Sequence, residues 1–193
     1  MSQHYAAQRG LESCPKNWLA MSKRKRSEYL DLRRPYEPRS PSLVIIGESP
    51  PASGKYFYDS TGDLSEPLFT ALVKQAGLSP VTKNEGLREL KQKGWVLVDA
   101  TYQPVNKGHT DLSRRRIIER DYPLLLDDLA KLGCDRLTPL VLIKANVCRI
   151  LRPKLLEDGF HVLNDSHAIP FPSTGHQNRF HEQFGAILKS TSV

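Results

Sequence analysis

The sequence contains little cysteine and no long apolar run. Its three cysteines, Cys14, Cys134 and Cys148, lie far apart and form no C-x-x-C pair, which disfavours a zinc site and indicates a reducing compartment. No apolar run approaches the roughly eighteen residues that a membrane-spanning helix needs. The first residues also lack the basic region and apolar stretch of a secretory signal. We therefore expect a cytoplasmic protein that does not cross a membrane.

Three common functional motifs are absent as well. Neither a G-x-G-x-x-G fingerprint nor a G-x-x-x-x-G-K-[ST] loop occurs, which excludes a dinucleotide fingerprint and a P-loop. The missing G-x-S-x-G elbow disfavours an α/β-hydrolase. What the chain does carry is basic charge, with a net charge of +7 and an isoelectric point of about 9.4. This balance suits a polyanionic partner such as nucleic acid, although it can also serve solubility alone.

Basic charge is concentrated near the N-terminus, in segments 21–26 and 32–36, and Pro35, Pro38 and Pro41 close this stretch before the first strand. We predict a basic helix and an extended arm over residues 1–42, packed on the outside of the domain, with a solvated face as the open alternative. Residues 43–193 are then an α/β domain, and the whole chain is one domain.

Four short apolar runs alternate with helical patterns from residue 43 onward. The runs predict strands at 43–47, 95–100, 139–145 and 160–164, and continuous apolar runs are typical of buried parallel strands. The predicted fold is a three-layer α/β/α arrangement with a central parallel sheet of about four strands and right-handed crossovers.

The helical segments have recognisable starts and ends. An Asp63–Glu66 capping box predicts a helix that ends at Gly77, and a short polar helix should follow between residues 84 and 94. Further helices are predicted before Gly133, from about residue 146 with a kink or break at Pro153, and around an apolar stripe near the C-terminus. The stripe residues are Phe180, Phe184, Ile187 and Leu188.

The loops after the strands carry the unusual residues. In parallel α/β folds, the ligand lies outside the carboxyl ends of the strands. These loops contain one carboxylate beside prolines, an aromatic triplet, and a Pro-Ser-Thr-Gly turn with a nearby histidine. Together they indicate a pocket for a flat polar ring with an acid or base group beside it.

Three segments of these loops resemble motifs of the uracil-DNA glycosylase superfamily. Gly47-Glu-Ser-Pro looks like the G-[QE]-x-P loop after the first strand, and Pro172-Ser173 looks like the end of the second motif, H-P-S. The segment 99–107 is similar to the strand end that carries the base-reading Asn. The order and strand contexts match over roughly residues 43–188.

The resemblance implies a monofunctional DNA glycosylase that flips out and excises a deaminated base, uracil above all, in base-excision repair. It implies damaged DNA as the partner, a monomer, and no metal or organic cofactor. There are two departures from the family pattern. Phe171 stands where most members have His or Asn, and Asp99 stands at the position of the base-reading Asn. Three cysteines are also too few for the iron–sulfur branches, so no cluster is expected.

The resemblance also implies roles for individual residues. Glu48 would orient or deprotonate the attacking water, or stabilise the cationic sugar, and His176 would bond the leaving base, with His167 as its competitor. Phe57 would stack on the flipped base, although Tyr56 or Tyr58 could do so instead. The remaining substrate-binding candidates are Gly47, Ser49, Pro51, Asp99, Asn106 and Ser173. The DNA-binding candidates are Lys107, Pro172, Thr174, Gly175, Gln177 and Arg179.

Plainer explanations remain open for several of these residues. Pro51 can simply form a turn, and Ser173 or Thr174 can cap a helix. Cys134 and Cys148 lie beside apolar residues, which is typical of core positions.

Two other functions also stay open. One is a catalytically weak nucleic-acid-binding module on the same fold, and the other is a small-molecule hydrolase that uses Glu48 and His176.

Overall fold

The computed structural model describes residues 24–165 and 168–191. In this part of the chain, six α-helices accompany a three-stranded parallel sheet of order β2-β1-β3. The strands are β1 (Leu43–Gly47), β2 (Trp95–Asp99) and β3 (Leu140–Leu142). The helices are α1 (Arg26–Arg33), α2 (Pro67–Gln75), α3 (Lys83–Gln92), α4 (Asp111–Lys131), α5 (Ala145–Glu157) and α6 (Gln177–Thr191). None of these helices is long and apolar enough to cross a membrane.

The strands are apolar throughout because both faces of the sheet are covered. Ile45 and Leu97 belong to one core layer, together with apolar residues of α2, α3 and α6. Val44 and Val98 point into the other layer, which α4 and α5 complete. Buried Cys148 and half-buried Cys134 lie in this second layer, as the sequence predicts. The prediction of a parallel α/β sheet is therefore confirmed.

The predicted fourth strand is wrong. The backbone of segment 160–164 pairs with β3 only in an isolated bridge between Val162 and Leu140, and Ile169 forms a second bridge with Ile143. The cause is the buried side chain of Asn164. Its Oδ1 accepts the Leu142 N–H at 2.6 Å and its Nδ2 donates to the Leu142 carbonyl at 3.0 Å. A side-chain amide thus occupies both backbone groups that a continuing strand would pair.

Two helix predictions also need correction. The Asp63 carboxylate accepts the Ser65 N–H at 2.7 Å and forms a turn, so α2 begins only at Pro67. Exposed Pro153 lies inside α5, which continues without interruption to Glu157, so the predicted break at Pro153 is wrong. The short polar helix, the last helix and the end at Gly77, where φ is +71°, are confirmed.

The basic N-terminal helix α1 packs on the domain through two buried residues, and its other residues are half-buried or exposed. Tyr29 of α1 is buried in the first core layer. Arg33 is buried as well and pairs with the buried Asp128 of α4. Residues 1–23, with Cys14, lie outside the described residues.

Candidate active site

A cavity of about 410 Å³ lies at the carboxyl ends of the strands, where the sequence predicts a ligand site. Its walls come from the loop after β1, the first turn of α2, the ends of β2 and β3, and the segment before α6. The predicted substrate residues that line it are Ser49, Pro51, Phe57, Asp99 and Asn106. Tyr56, Lys144 and Phe171 also contribute to its walls.

Asp99 lies at the end of β2, directly beside Gly47 in the strand register. A Cβ atom at Gly47 would approach Asp99 Oδ1 to 3.1 Å, so glycine leaves room for this carboxyl group. Burial raises the pKa of Asp99 to about 7, although the positive charges of Arg33 and Lys144 oppose the shift. Among the described residues, no hydrogen bond of the carboxyl group is found. Asp99 can therefore be neutral near physiological pH, as the sequence predicts for a buried base reader.

Glu48 is buried and does not line the cavity itself. Its Oε2 atom pairs with Lys144 Nζ at 2.6 Å, and its Oε1 atom accepts a hydrogen bond from the Asn146 side chain. Both carboxylate oxygens are thus engaged within the protein. This geometry suits a fixed counter-charge more than a base that takes a proton from cavity water.

Lys144 and Asn146 are functional candidates that the sequence reasoning missed. Lys144 follows β3 and precedes α5, and its side chain reaches the cavity wall. A signal was available, because Lys144 ends an apolar strand and strand ends carry the other candidates. Its pairing with Glu48 across 96 positions could not be inferred from sequence.

Of the aromatic triplet, Phe57 and Tyr56 line the cavity, whereas Tyr58 does not. The Tyr58 hydroxyl group accepts the Leu97 N–H at 2.7 Å and donates to the Leu97 carbonyl at 3.0 Å. It is therefore a structural link between the loop and β2. The Phe57 ring packs against Phe69 with centroids 5.8 Å apart, which leaves Phe57 as an apolar face of the cavity.

The two loops that frame the cavity are linked by polar side chains. Asn106 Oδ1 accepts the Ala52 N–H at 2.9 Å, and Ser49 Oγ accepts the Val105 N–H at 3.2 Å. Asn106 and Ser49 therefore hold the shape of the site in addition to lining it. Lys107 is exposed beside them.

The second-motif loop stands outside the cavity apart from Phe171. Pro172 is buried and Ser173 is half-buried, and neither lines the cavity. His176 is exposed at the end of a turn in which its N–H donates to the Ser173 carbonyl at 2.9 Å. The remaining DNA-binding candidates of this loop are also exposed, namely Thr174, Gly175, Gln177 and Arg179. His167 lies outside the described residues.

Asp99 also faces a second cavity of about 430 Å³, between α1, α4 and the end of β2. Arg24, Arg26 and Arg120 line it, each within ion-pair distance of an aspartate. Within the described ranges, no three His, Cys, Asp or Glu side chains are grouped to hold a metal ion.

No protein-family model matches the chain, and no curated protein is significantly similar to it.

Proposed function

We propose that the protein is a DNA glycosylase that flips out a deaminated base, principally uracil, and hydrolyses its N-glycosidic bond. The carrying observation is the cavity that joins Asp99, Phe57 and Asn106 at the carboxyl edge of the sheet. An enzyme that acts on a base must take the nucleotide out of the stack into such a pocket. The motif resemblance to uracil-DNA glycosylases supports the same function and a uracil-DNA glycosylase-like fold.

Asp99 is the proposed reader of the base edge. Uracil presents an N3–H donor between two carbonyl acceptors. A neutral carboxyl group carries one donor and one acceptor, as an Asn amide does, so it can bond N3–H and the adjacent O4 together. The raised pKa of Asp99 favours this neutral form.

Phe57 is the proposed stacking platform. Its ring is held by the core ring of Phe69 and borders the cavity. Stacking of a base on an aromatic ring contributes about 1–3 kcal/mol and accepts any base. Selection among bases therefore falls to Asp99 and to the loop residues near it.

A nucleic-acid-binding module without excision is the second candidate. Two observations favour it: Phe171 offers no hydrogen-bond donor, and His176 is exposed outside the cavity. Such a module would bind DNA without releasing a base, whereas excision would need electrophilic help to the departing base from another residue of the cavity wall.

The deciding experiment measures single-turnover excision from duplexes that carry uracil, hypoxanthine, xanthine or a thymine mismatch, scored as strand breaks after alkali. We expect uracil to be released fastest. Glu48→Gln should slow release by about 10²–10³-fold, because it removes the charge that holds the Lys144 ammonium group.

Glu182→Gln is the matched control, because Glu182 is an exposed acid of α6. Salt-sensitive DNA binding with no strand break on any of the four duplexes would establish the binding module instead.

A further inference from the structure

Lys144 has a backbone conformation that side-chain-bearing residues rarely adopt. With φ at 80° and ψ at 139°, it is the one non-glycine residue of positive φ in the described part of the chain. Hydrogen bonds fix this backbone on both sides. Its N–H donates to the Ile169 carbonyl at 2.8 Å, and its own carbonyl accepts the Cys148 N–H at 3.0 Å. Backbone strain of this kind is concentrated at functional sites, where the surrounding structure maintains it.

The two partners of the ion pair between Lys144 and Glu48 are buried to different degrees. The Glu48 side chain is 2% exposed, whereas that of Lys144 is 30% exposed and lines the cavity. The negative end is therefore buried beneath the wall, and the positive end faces the space where a ligand would lie. Asn146 bonds the other carboxylate oxygen and fixes the carboxylate from a second side.

The ammonium group retains capacity for a ligand. It has three N–H donors, and one of them is directed to Glu48. The Nζ atom also lies 5.3 Å from the centre of the Phe171 ring, which can hold a cation over its face. Among the described residues, no further hydrogen-bond acceptor of Nζ is found.

We propose that Lys144 is a catalytic residue whose ammonium group donates a hydrogen bond to the base as it leaves. This inference rests on the proposed glycosylase function and deepens it. The C1′–N1 bond breaks with its electron pair on the base, which becomes an anion shared between N1 and O2, while the sugar becomes an oxocarbenium ion. Lys144 stabilises the charge on O2. Water then adds to C1′, and the proton it releases neutralises the base.

The test compares two leaving groups in single-turnover excision by wild type and Lys144→Met. Duplexes carry either uracil or 5-fluorouracil, whose fluorine acidifies N1–H and stabilises the departing anion. Removal of a hydrogen-bond donor to a developing anion slows reaction by about 10²–10³-fold. We expect that loss for uracil, and a loss smaller by about tenfold or more for 5-fluorouracil, because the weaker base needs less help.

Lys154→Met is the matched control, because Lys154 lies on α5, the helix that follows Lys144, and its ammonium group also lies over an aromatic ring, that of Tyr122, away from the cavity. It should release both bases at the wild-type rate. If Lys144→Met fails to fold, Glu48→Gln/Lys144→Met leaves no unpaired buried carboxylate, and its losses on the two bases are measured against wild type, with the same smaller loss expected for 5-fluorouracil.

Equal losses for the two bases, or no loss, would show that Lys144 only positions Glu48 or the loop. In that event, uracil release by the wild type would leave the glycosylase proposal standing. A wild type that releases neither base would overturn both proposals together.

Discussion

At the residue scale, two neighbouring carboxyl groups have contrasting surroundings. Glu48 follows β1, Asp99 is the last residue of the adjacent strand β2, and both are buried. Glu48 has an ammonium and an amide partner, whereas no hydrogen bond of the Asp99 carboxyl is found among the described residues. Burial therefore favours the neutral form of Asp99, whereas the Glu48 carboxylate is held by its two partners. One group can read a base edge, and the other can anchor a cation.

Asp99→Asn should make the stability of the protein less sensitive to a rise in pH from about 4 to 7. The pKa of Asp99 rises from 3.8 to about 7 on folding, so the folded state holds this proton more tightly. That contribution to stability is fully present below about pH 4 and is lost as the pH rises through 7. We expect the melting temperature of wild type to fall relative to that of Asp99→Asn as the pH is raised from 5 to 8.

Asp111→Asn provides the control for this measurement, since Asp111 is exposed in the first turn of α4. The same logic extends to excision. Wild-type release of uracil should fall as the pH rises through 7, whereas Asp99→Asn should stay active and Asp99→Ala should be slow throughout. Identical pH profiles for wild type and the Asn variant would remove Asp99 as the base reader.

At the scale of elements, the attachment of α1 shows what basic residues do in this chain. The guanidinium group of Arg33 donates to Asp128 on α4 through Nη1 at 2.8 Å and through Nη2, and to Glu37 through Nε at 2.8 Å. The Tyr102 hydroxyl group accepts a further bond from Nη1 at 2.8 Å. One basic residue of this helix, Arg33, is therefore buried and attaches α1 to α4 through its ion pair with Asp128.

Arg33→Met should destabilise the fold by about 3–5 kcal/mol, because it leaves the buried Asp128 carboxylate without its partner. The free energy of unfolding in urea measures this loss. Arg34→Met is the control. Arg34 is next in sequence and its pair with Asp31 is exposed, so its loss should cost less than about 1 kcal/mol.

The double variant Arg33→Met/Asp128→Leu should recover most of the stability, since it removes both buried charges. If Arg33→Met lowered the free energy of unfolding no more than Arg34→Met does, the Arg33–Asp128 pair would not stabilise the attachment of α1 to the domain.

At the scale of the whole molecule, the net charge of +7 is the relevant quantity. Several exposed cations lie in or near the loops that frame the cavity, among them Lys107 and Arg179. Others, such as Arg115 with Glu119, are already paired on the helix surface. Only the unpaired ones can displace counterions from a phosphate backbone at little cost.

DNA affinity should therefore fall steeply as salt rises from low to physiological concentration. Arg179→Gln should weaken binding to all sequences alike and reduce the slope of log K against log salt by about one. Lys131→Gln, in the last turn of α4 and paired with Asp127, should leave the slope unchanged. Affinity that does not respond to salt would contradict a phosphate-tracking surface.

The sequence by itself determined the features that local patterns encode. The apolar runs of β1 and β2 predict buried parallel strands, and these strands end at Gly47 and Asp99. The composition of the loops then predicts a pocket at that edge of the sheet.

Only the tertiary structure decided which groups meet there. Lys144 and Glu48 are 96 positions apart, and a pairing across that distance follows from the packing of β3 beside β1, which no local pattern records. Asn164 likewise ends the sheet through a side chain whose target lies 22 positions earlier. Long-range contacts depend on how all the elements pack together, so the charge presented to the cavity is a property of the folded molecule.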